Sequence, residues 1–293
     1  MTNLNSGLSG CGIELINDDV LRKHSSSREY NKRLLSQIKK QSLFSHFVLQ
    51  NIDSPRIYSV HKDDIYSFDM EYVSGFSFDE YFLHTNVVDV NNVLQSLYGY
   101  FDFLIDNSKL YHKEVSKSII NKKIDSMPQS EFLSYIKEQV KDVRVPYSFC
   151  HGDLTFANII FHPKRLYFID FLDSFIDSYL VDFAKIKQDL YYCWNLKVQS
   201  TNNLRIHQIY SYIWDKLLKK YNTILETKEF KILDSLNLLR IEPYLTDERQ
   251  CSILKTLVKQ TDLYEDFSCP NGREVYKVSQ HETKVDANSP KEE

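Results

Sequence analysis

The chain has 293 residues, of which 42% are hydrophobic, and a formal net charge of −4. This length and hydrophobic content allow one large domain or two smaller ones around a substantial core. Because the chain has no basic excess, its composition argues against a nucleic-acid-binding protein. No uncharged apolar run reaches the roughly 18 residues that a membrane span requires, so no span is expected.

The five cysteines are scattered, and none forms a C-x-x-C pair or a Cys/His cluster with zinc spacing. This pattern indicates neither a disulfide framework nor a zinc site, and it favours a reducing, cytoplasmic compartment. The first residues lack the basic and apolar regions of a signal peptide, so none is expected.

The N-terminal part mixes strand and helix signals. Asn17-Asp18-Asp19 is typical of a hairpin turn between two short apolar runs, and a serine run precedes a helical pattern that it can cap. The predicted order is β-β-α-β-β with hairpin connections, from strands at 13–16, 20–22, 56–60 and 65–73 and a helix over 27–41.

Helical periodicity dominates the rest of the chain. A polar stretch over 113–130 separates the first two helices, and residues 265–293 lose periodicity, which predicts a disordered tail. The predicted helices cover 87–105, 131–140, 181–194, 206–221, 227–239 and 246–260. We therefore predict a strand-rich N-terminal lobe over 1–75, a helical lobe over 76–264 and a hinge near Val73-Ser74-Gly75.

The most concentrated chemistry lies in HGDLTFANIIF, which begins at His151, and in the FIDF that contains Asp170. Asp153 and Asn158 lie on a segment between two apolar runs, 148–150 and 159–161, that we predict to be strands. Leu166 to Ile169 forms a further strand that ends directly in Asp170. A hairpin of ordinary length would bring Asp170 back beside Asn158.

An amide oxygen and a carboxylate that converge in this way suit magnesium, which takes few protein ligands and completes its shell with water and phosphates. Asp153, placed further back on the loop, is free to accept a proton. This division of roles is what phosphoryl transfer requires. The alternative is a capped turn in which Asp and Asn bond locally, but the strand context and the following Ile-Asp-Phe favour the base and metal site.

HGDLTFANII followed by FIDF resembles the motifs of the aminoglycoside phosphotransferase and choline kinase family, relatives of the protein kinases. The resemblance implies an α+β, two-lobed protein-kinase-like fold with a small antiparallel-sheet N-lobe and a larger, mainly helical C-lobe. It makes Asp153 the catalytic base, Asn158 and Asp170 the magnesium ligands and His151 a structural support. It also implies ATP and Mg²⁺ as cofactors and a small-molecule hydroxyl as acceptor, on a sugar, an amino alcohol such as choline or ethanolamine, or an aminoglycoside. Thr155 stands where protein kinases have a lysine, which favours a small acceptor.

If the resemblance holds, a phosphate-covering loop should come first. SGLSGCG contains the candidates Ser9, Gly10 and Gly12, whose backbone amides would approach phosphate oxygens. The segment does not fit G-x-G-x-x-G, and a flexible N-terminal tail is the alternative explanation.

A cation on a strand and an acid on a helix should follow. Arg22 and Lys23 point to opposite faces of their strand, and we choose Lys23, with Arg22 as the alternative. Glu29 is the only carboxylate between Ser25 and Gln41, so it is the candidate partner. Its alternative role is that of an acid favoured near a helix N-terminus.

The expected hinge is matched by MEYVSG, residues 70–75, which resembles the hinge of these enzymes. The resemblance implies that the backbone of Glu71 and of Val73 hydrogen-bonds to adenine.

Downstream of the metal motif, Asp182 begins an Asp-Phe-Ala segment and is expected to brace the catalytic loop. Asp173 and Asp177 would face a cationic acceptor or form a solvated face. Together with the net charge, they mildly favour a neutral or cationic acceptor. Four aromatic residues would form a cage for a quaternary ammonium or, as is commoner at helical spacing, part of the core: Tyr191, Tyr192, Trp194 and Tyr210.

Two other functions remain open at this stage. A kinase-fold protein that modifies another protein would need a peptide groove, but the segment between Asp170 and Asp182 is short. A non-catalytic, pseudokinase-like module would have lost the base or a metal ligand, and all three positions are filled, although the glycine loop is irregular. The sequence carries no signal for the oligomeric state.

Overall fold

The computed structural model describes residues 3–4, 11–199, 203–245 and 247–268. In the N-terminal part the elements are β1 (Asn3–Leu4), β2 (Gly12–Asn17), β3 (Val20–His24), α1 (Asn31–Phe44), β4 (Ile52–Asp53), β5 (Ile57–Lys62) and β6 (Tyr66–Glu71). Five of these strands form an antiparallel sheet in the order β1-β2-β3-β6-β5.

The remainder is mainly helical. Its elements are α2 (Phe78–His84), α3 (Val87–Asp106), β7 (Lys109–Leu110), α4 (Lys113–Asp125), α5 (Glu131–Gln139), β8 (Pro146–Tyr147), β9 (Ile159–His162), β10 (Arg165–Phe168), α6 (Tyr179–Leu190), α7 (Trp194–Gln199), α8 (Leu204–Leu225), α9 (Lys228–Leu239), α10 (Glu248–Lys259) and α11 (Asp262–Ser268). The predicted two-lobed α+β fold is confirmed.

The N-terminal sheet is covered on one face by α1. Leu34 and Ile38, one turn apart on that helix, pack against Phe68 and Met70 of β6 in a small apolar core. Because side chains alternate along a strand, the same face of β3 carries Lys23, which is thus buried beneath the helix.

The sheet and the helical part are joined through aromatic packing and backbone pairing. Phe44, at the end of α1, stacks on Phe168 with ring centroids 5.7 Å apart and contacts Phe171 at 5.1 Å. The backbones of Phe76 and Phe161 exchange two hydrogen bonds of 2.9 Å, and β4 pairs in parallel with β10. These contacts hold α1 and the hinge segment directly against the β9–β10 hairpin.

Helix α6 lies at the centre of the helical part, and all of its residues are buried. It packs on α3, α8 and α9, and Phe183 of α6 stacks on Phe101 of α3 at a centroid distance of 3.7 Å. A helix buried on every side must pair its charged residues internally, and this requirement shapes the site described below.

Several sequence predictions need correction. Helix α1 begins at Asn31 rather than Ser27, and no serine side chain caps it. Residues 148–150 are extended but not a strand. Helix α6 ends at Leu190, and α2 was not predicted.

The stretch 113–130 is not an irregular polar segment, because α4 occupies 113–125. Ser116, Ile120 and Ile124 recur every four residues and form a narrow buried stripe on a lysine-rich helix whose other residues are exposed or half-buried. At the C-terminus, residues 265–268 complete α11 instead of starting a tail. The rest of the predicted tail lies outside the described residues. In the part of the chain that the structure describes, no helix has the length and apolar character needed to cross a membrane.

Candidate functional site

The loop that carries Asp153 is shaped by its two preceding residues. Gly152 has φ +86°, and a Cβ there would lie 2.1 Å from the carbonyl oxygen of Leu172, so the position requires glycine. His151 is buried, its Nδ1 accepts from the Asp153 N–H at 3.2 Å, and its Nε2 lies 2.8 Å from the Ile169 carbonyl. Burial lowers the His151 pKa to about 4, so the ring is neutral and donates through Nε2.

Asp182, at the start of α6, supports this loop from below. Its Oδ2 accepts from the His151 N–H at 2.7 Å and from the Tyr100 hydroxyl at 2.7 Å, while its Oδ1 accepts from the Gly152 N–H at 2.9 Å. Burial raises the pKa of this carboxyl to about 6 despite these donors. The expected brace is therefore present, and it acts through three hydrogen bonds.

The two oxygens of Asp153 face different surroundings. Oδ2 accepts from Asn158 Nδ2 at 3.0 Å, whereas Oδ1 lies 2.9 Å from Lys185 Nζ and 3.7 Å from Arg240 Nη2. Desolvation alone would raise the pKa of Asp153, but the charges of Lys185 and Arg240 outweigh it and hold the pKa at about 2. The carboxylate is ionised at neutral pH and can accept a hydrogen bond from a hydroxyl.

Asn158 and Asp170 come together as the hairpin predicts. The Asn158 amide also donates to the Asp153 carbonyl at 2.7 Å, which directs its Oδ1 away from Asp153. The Ile169 N–H donates to the Asn158 carbonyl at 3.0 Å, so Asp170 follows immediately beside it. Asp170 adopts φ +60°, a left-handed conformation that is uncommon for a residue other than glycine and recurs at functional sites.

These oxygens fit a magnesium ion. One amide oxygen and one carboxylate are the kind of sparse, hard-oxygen ligand set that Mg²⁺ accepts when water and phosphates complete its shell. Among the described residues there is no cluster of three or more His, Cys, Asp or Glu that would hold a metal by itself.

Lys23 reaches this carboxylate from the N-terminal sheet. Its side chain is only 1% exposed, and its Nζ lies 2.5 Å from Asp170 Oδ1. Gln37 Nε2, from α1, lies 3.4 Å from the same oxygen. Arg22 instead binds Asp69 on the other face of the sheet through two nitrogens, at 2.6 and 2.9 Å. Of the two candidate cations, Lys23 is thus the one that faces Asp170 and the β9–β10 hairpin.

The predicted pairing of Glu29 with this cation is not formed. Glu29 lies in an exposed turn before α1, where hydrogen bonds from Ser27 and from its own backbone lower its pKa. Lys23 pairs with Asp170, and α1 itself contains no carboxylate. Gln37 was not predicted from the sequence, because a carboxylate was expected as the partner on this helix, whereas the side chain that α1 places beside Asp170 is an uncharged amide.

A second cation, Lys40, ties α1 to the segment after Asp170. Its Nζ donates to the Leu172 carbonyl at 2.8 Å and to Asp177 Oδ1 at 2.9 Å. Asp177 is therefore already paired with a cation of the chain itself. Nothing in the local sequence distinguishes Lys40 from its exposed neighbour Lys39.

Two of the four aromatic residues suggested as an ammonium cage, Tyr191 and Tyr192, surround a cation of the chain itself. Lys187 Nζ lies 5.2 to 5.5 Å from the ring centroids of these two residues and of Phe230. It also pairs with Asp234 at 2.8 Å. The space between these three rings is therefore occupied by the protein's own ammonium group.

The glycine loop and hinge are only partly described. Ser9 and Gly10 lie outside the described residues. Gly12 is the first residue of β2, and a Cβ at this position would lie 2.1 Å from the His24 ring. Glu71 ends β6 and donates its N–H to the Arg56 carbonyl at 2.8 Å. Val73 follows in an extended, half-buried segment.

Three charged residues near Asp153 were not found from the sequence. Lys185 and Asp189 follow Asp182 at i+3 and i+7 on α6, a spacing that places all three on one helical face and could have been recognised. Asp189 Oδ2 accepts from the Phe156 N–H at 2.7 Å, and burial raises its pKa to about 7. Arg240 comes from the end of α9 and carries no local signal.

Comparison with known proteins agrees with this geometry. A model of the phosphotransferase enzyme family matches residues 120–211, which include the catalytic loop, the hairpin and α6. The predicted family resemblance is confirmed. Since the family consists of phosphotransferases, the predicted enzyme class is confirmed at that level. No curated protein matches the sequence.

Solved structures extend the likeness over nearly the whole chain. A GDP complex of an aminoglycoside 2'-phosphotransferase is 14% identical with a TM-score of 0.57, over 90% of this chain and 92% of that one. A putative fructosamine-3-kinase from Haemophilus somnus is 13% identical with a TM-score of 0.53, over 89% and 90%. A glucosamine kinase bound to glucosamine, ADP and phosphate is 10% identical with a TM-score of 0.54, over 88% and 80%. At these identities the likeness establishes the kinase-like fold.

Proposed function

We propose that this protein transfers the γ-phosphate of ATP, with Mg²⁺, to a hydroxyl group of a small molecule. The observation that carries the proposal is the convergence of Asp153, Asn158, Asp170 and Lys23 at one place between the sheet and the helical part. A base, two oxygen ligands and a buried cation are the parts that phosphoryl transfer uses.

Asp153 would orient the attacking hydroxyl. With a pKa of about 2 it is a weak base, yet it is fully ionised and accepts a hydrogen bond at any physiological pH. Because phosphoryl transfer passes through a loose transition state, orientation of the nucleophile matters more than early removal of its proton. Lys185 and Arg240, which depress this pKa, keep the carboxylate in its working form.

Asn158 and Asp170 would hold Mg²⁺, which when bound neutralises charge on the phosphates. Lys23 would exchange Asp170 for a phosphate oxygen, since its ammonium already lies beside the proposed metal ligand. The backbone of Glu71 and of Val73 would receive adenine, and Ser9, Gly10 and Gly12 would cover the phosphates.

A small acceptor is favoured over a protein. Only residues 171–178 separate Asp170 from α6, and they are tied down by Lys40 and by the hydrogen bond from the Leu172 N–H to the His151 carbonyl. They leave no free segment on which a peptide could dock. The structural neighbours that bind kanamycin and glucosamine also act on small molecules.

Calorimetric titration of the purified chain with Mg·ATP and Mg·GTP tests the proposal. Asp170→Asn should weaken magnesium-dependent nucleotide binding by about tenfold or more, the worth of one charge-assisted contact. Asp173→Asn, an exposed acid three residues later, is the matched control and should bind as the unmodified chain does.

Turnover is measured as ADP release over a panel of sugars and amino alcohols. Asp153→Asn should keep nucleotide affinity but lower turnover by about 10²- to 10⁴-fold, the usual worth of a positioned acid–base group. Nucleotide binding that is absent, or indifferent to Asp170, would refute the proposed function.

A further inference from the structure

We infer that the acceptor carries an oxyanion, a carboxylate or a phosphate, beside the hydroxyl that is phosphorylated, and that Arg240 binds it. The inference rests on the proposed function, because it concerns the molecule that Asp153 would orient. It is carried by the charges around Asp153.

The two oxygens of Asp153 separate the metal side of the site from the opposite side. Oδ2 faces Asn158, whereas Oδ1 faces Lys185 and Arg240. The side of Oδ2 belongs to the proposed metal and the phosphates. A hydroxyl that reaches Oδ1 must bring its own molecule against the two cations.

The two cations differ in how fully their N–H groups are already hydrogen-bonded. Lys185 is deeply buried and is satisfied by Asp153 at 2.9 Å and by Gln188 Oε1 at 3.2 Å. Arg240 is 19% exposed, and its Nη2 reaches Asp153 and the Gly152 carbonyl only at 3.7 and 3.4 Å. Both distances are long for a charge-assisted bond, which typically spans about 2.7–2.9 Å. A guanidinium fork matches the paired oxygens of a carboxylate or a phosphate.

The two charged groups that flank Oδ1 of Asp153 are cations. Lys123 of α4 is also close to Arg240, because the charge of Arg240 adds to burial in lowering the pKa of Lys123. The further acids that act on these cations, Asp182 and Asp189, are fully buried and accept hydrogen bonds from backbone N–H groups of the loop, and burial raises their pKa to about 6 and about 7. A positively charged acceptor would therefore be repelled at the point where its hydroxyl has to bind.

Most of the features that favoured a cationic acceptor are used elsewhere. Asp177 is paired with Lys40, and two of the four aromatic residues surround Lys187, while Asp173 stays exposed. The mild preference for a neutral or cationic acceptor is thus weakened by these contacts, and the cations beside Asp153 favour the opposite charge.

Two matched series of acceptors test the inference with the full chain and Mg·ATP. One comprises galacturonate, galactose 6-phosphate, galactose and galactosamine, and the other glycerate, glycerol 3-phosphate, glycerol and 2-amino-1,3-propanediol. We expect kcat/KM for an anionic member to exceed that of its neutral and cationic counterparts by about 10- to 100-fold, the worth of one charge-assisted hydrogen bond. The carboxylate and phosphate arms show which oxyanion is preferred.

Variants of Arg240 assign that preference. In Arg240→Gln the contact with the oxyanion is lost, so kcat/KM for the anionic member should come within about threefold of that for the neutral member. Arg240→Lys keeps a positive charge and should retain part of the preference for the anionic member. Arg249→Gln is the matched control, since Arg249 binds carbonyls of α7 away from Asp153, and should keep the full ratio. Binding of Mg·ATP verifies that each variant is folded.

Mg·ATP binding also separates the two proposals. A chain that binds Mg·ATP through Asp170 but turns over neutral or cationic members equally well overturns the inference and leaves the proposed function standing. The same holds if no anionic member is phosphorylated, or if Arg240→Gln keeps the preference. Loss of Mg·ATP binding in the unmodified chain would refute both.

Discussion

The loop around Asp153 and the proposed nucleotide side, formed by β3 and α1, are held in contrasting ways. The loop rests on buried carboxylates: Asp182 accepts the backbone N–H groups of His151 and Gly152, and Asp189 accepts that of Phe156. The nucleotide side depends on side-chain ion pairs, Lys23 with Asp170 and Lys40 with Asp177, whose acids are 30% and 41% exposed.

This difference separates what must stay fixed from what must exchange. A loop braced through backbone hydrogen bonds would hold the proposed base, Asp153, in position before any ligand binds, and such preorganisation lowers the cost of reaching the transition state. The Lys23–Asp170 pair can open, because each partner can take a phosphate or a metal ion instead of the other. Changes to the loop should therefore affect stability most, and changes on the nucleotide side should affect binding.

The largest expected effect comes from Asp182→Ala. The change leaves the His151 and Gly152 N–H groups and the Tyr100 hydroxyl without an acceptor in a fully buried place. Since each buried unsatisfied donor costs about 1–3 kcal/mol, we expect the free energy of unfolding to fall by about 3–5 kcal/mol, measured by urea denaturation. Asp173→Ala, which changes an exposed side chain, should alter it by less than about 0.5 kcal/mol. Equal losses in the two variants would contradict the brace.

A smaller effect is expected from pH through Asp189. Its pKa is raised from the ordinary 3.8 to about 7, so the folded chain keeps a proton that the unfolded chain loses. The free energy of unfolding should fall as the pH rises from about 4 to 7, by at most about 1.4 kcal/mol per pH unit. Asp189→Asn retains an oxygen for the Phe156 N–H, so its urea denaturation should lose less stability between pH 5 and pH 8. An unchanged pH profile would show that Asp189 does not titrate in this range.

The smallest stability effect is expected on the nucleotide side. Lys40→Met removes the contacts with the Leu172 carbonyl and Asp177 and should cost about 1–2 kcal/mol. Because α1 also carries Gln37 beside Asp170, Mg·ATP affinity should fall as well, as measured by titration.

Lys39→Met changes the exposed neighbour of Lys40 and should alter neither quantity. Glu29→Gln should also leave nucleotide affinity unchanged, since Glu29 is fully exposed and does not pair with Lys23. A clear loss of affinity in Glu29→Gln would restore the pairing that the sequence suggested.

The sequence by itself determined the elements whose signals are local. Alternation along β3 placed Arg22 and Lys23 on opposite faces, although it did not decide which of them faces Asp170. Strand ends with a hairpin were enough to bring Asp170 to Asn158, because this follows from backbone geometry over a few residues. The motif around Asp153 also predicted the resemblance to the phosphotransferase family, which the match over residues 120–211 confirms. Helix α4 was not predicted, because three buried residues among many lysines give a weak periodic signal.

Only the tertiary structure decided which charges meet. Lys23 meets Asp170 rather than Glu29, Lys40 takes Asp177, and Arg240 reaches Asp153 from the far end of α9. A charge on an exposed turn and a charge in a buried site look alike in a sequence. Their partners are chosen by the cost of burying them unpaired, and that cost exists only once the chain has folded.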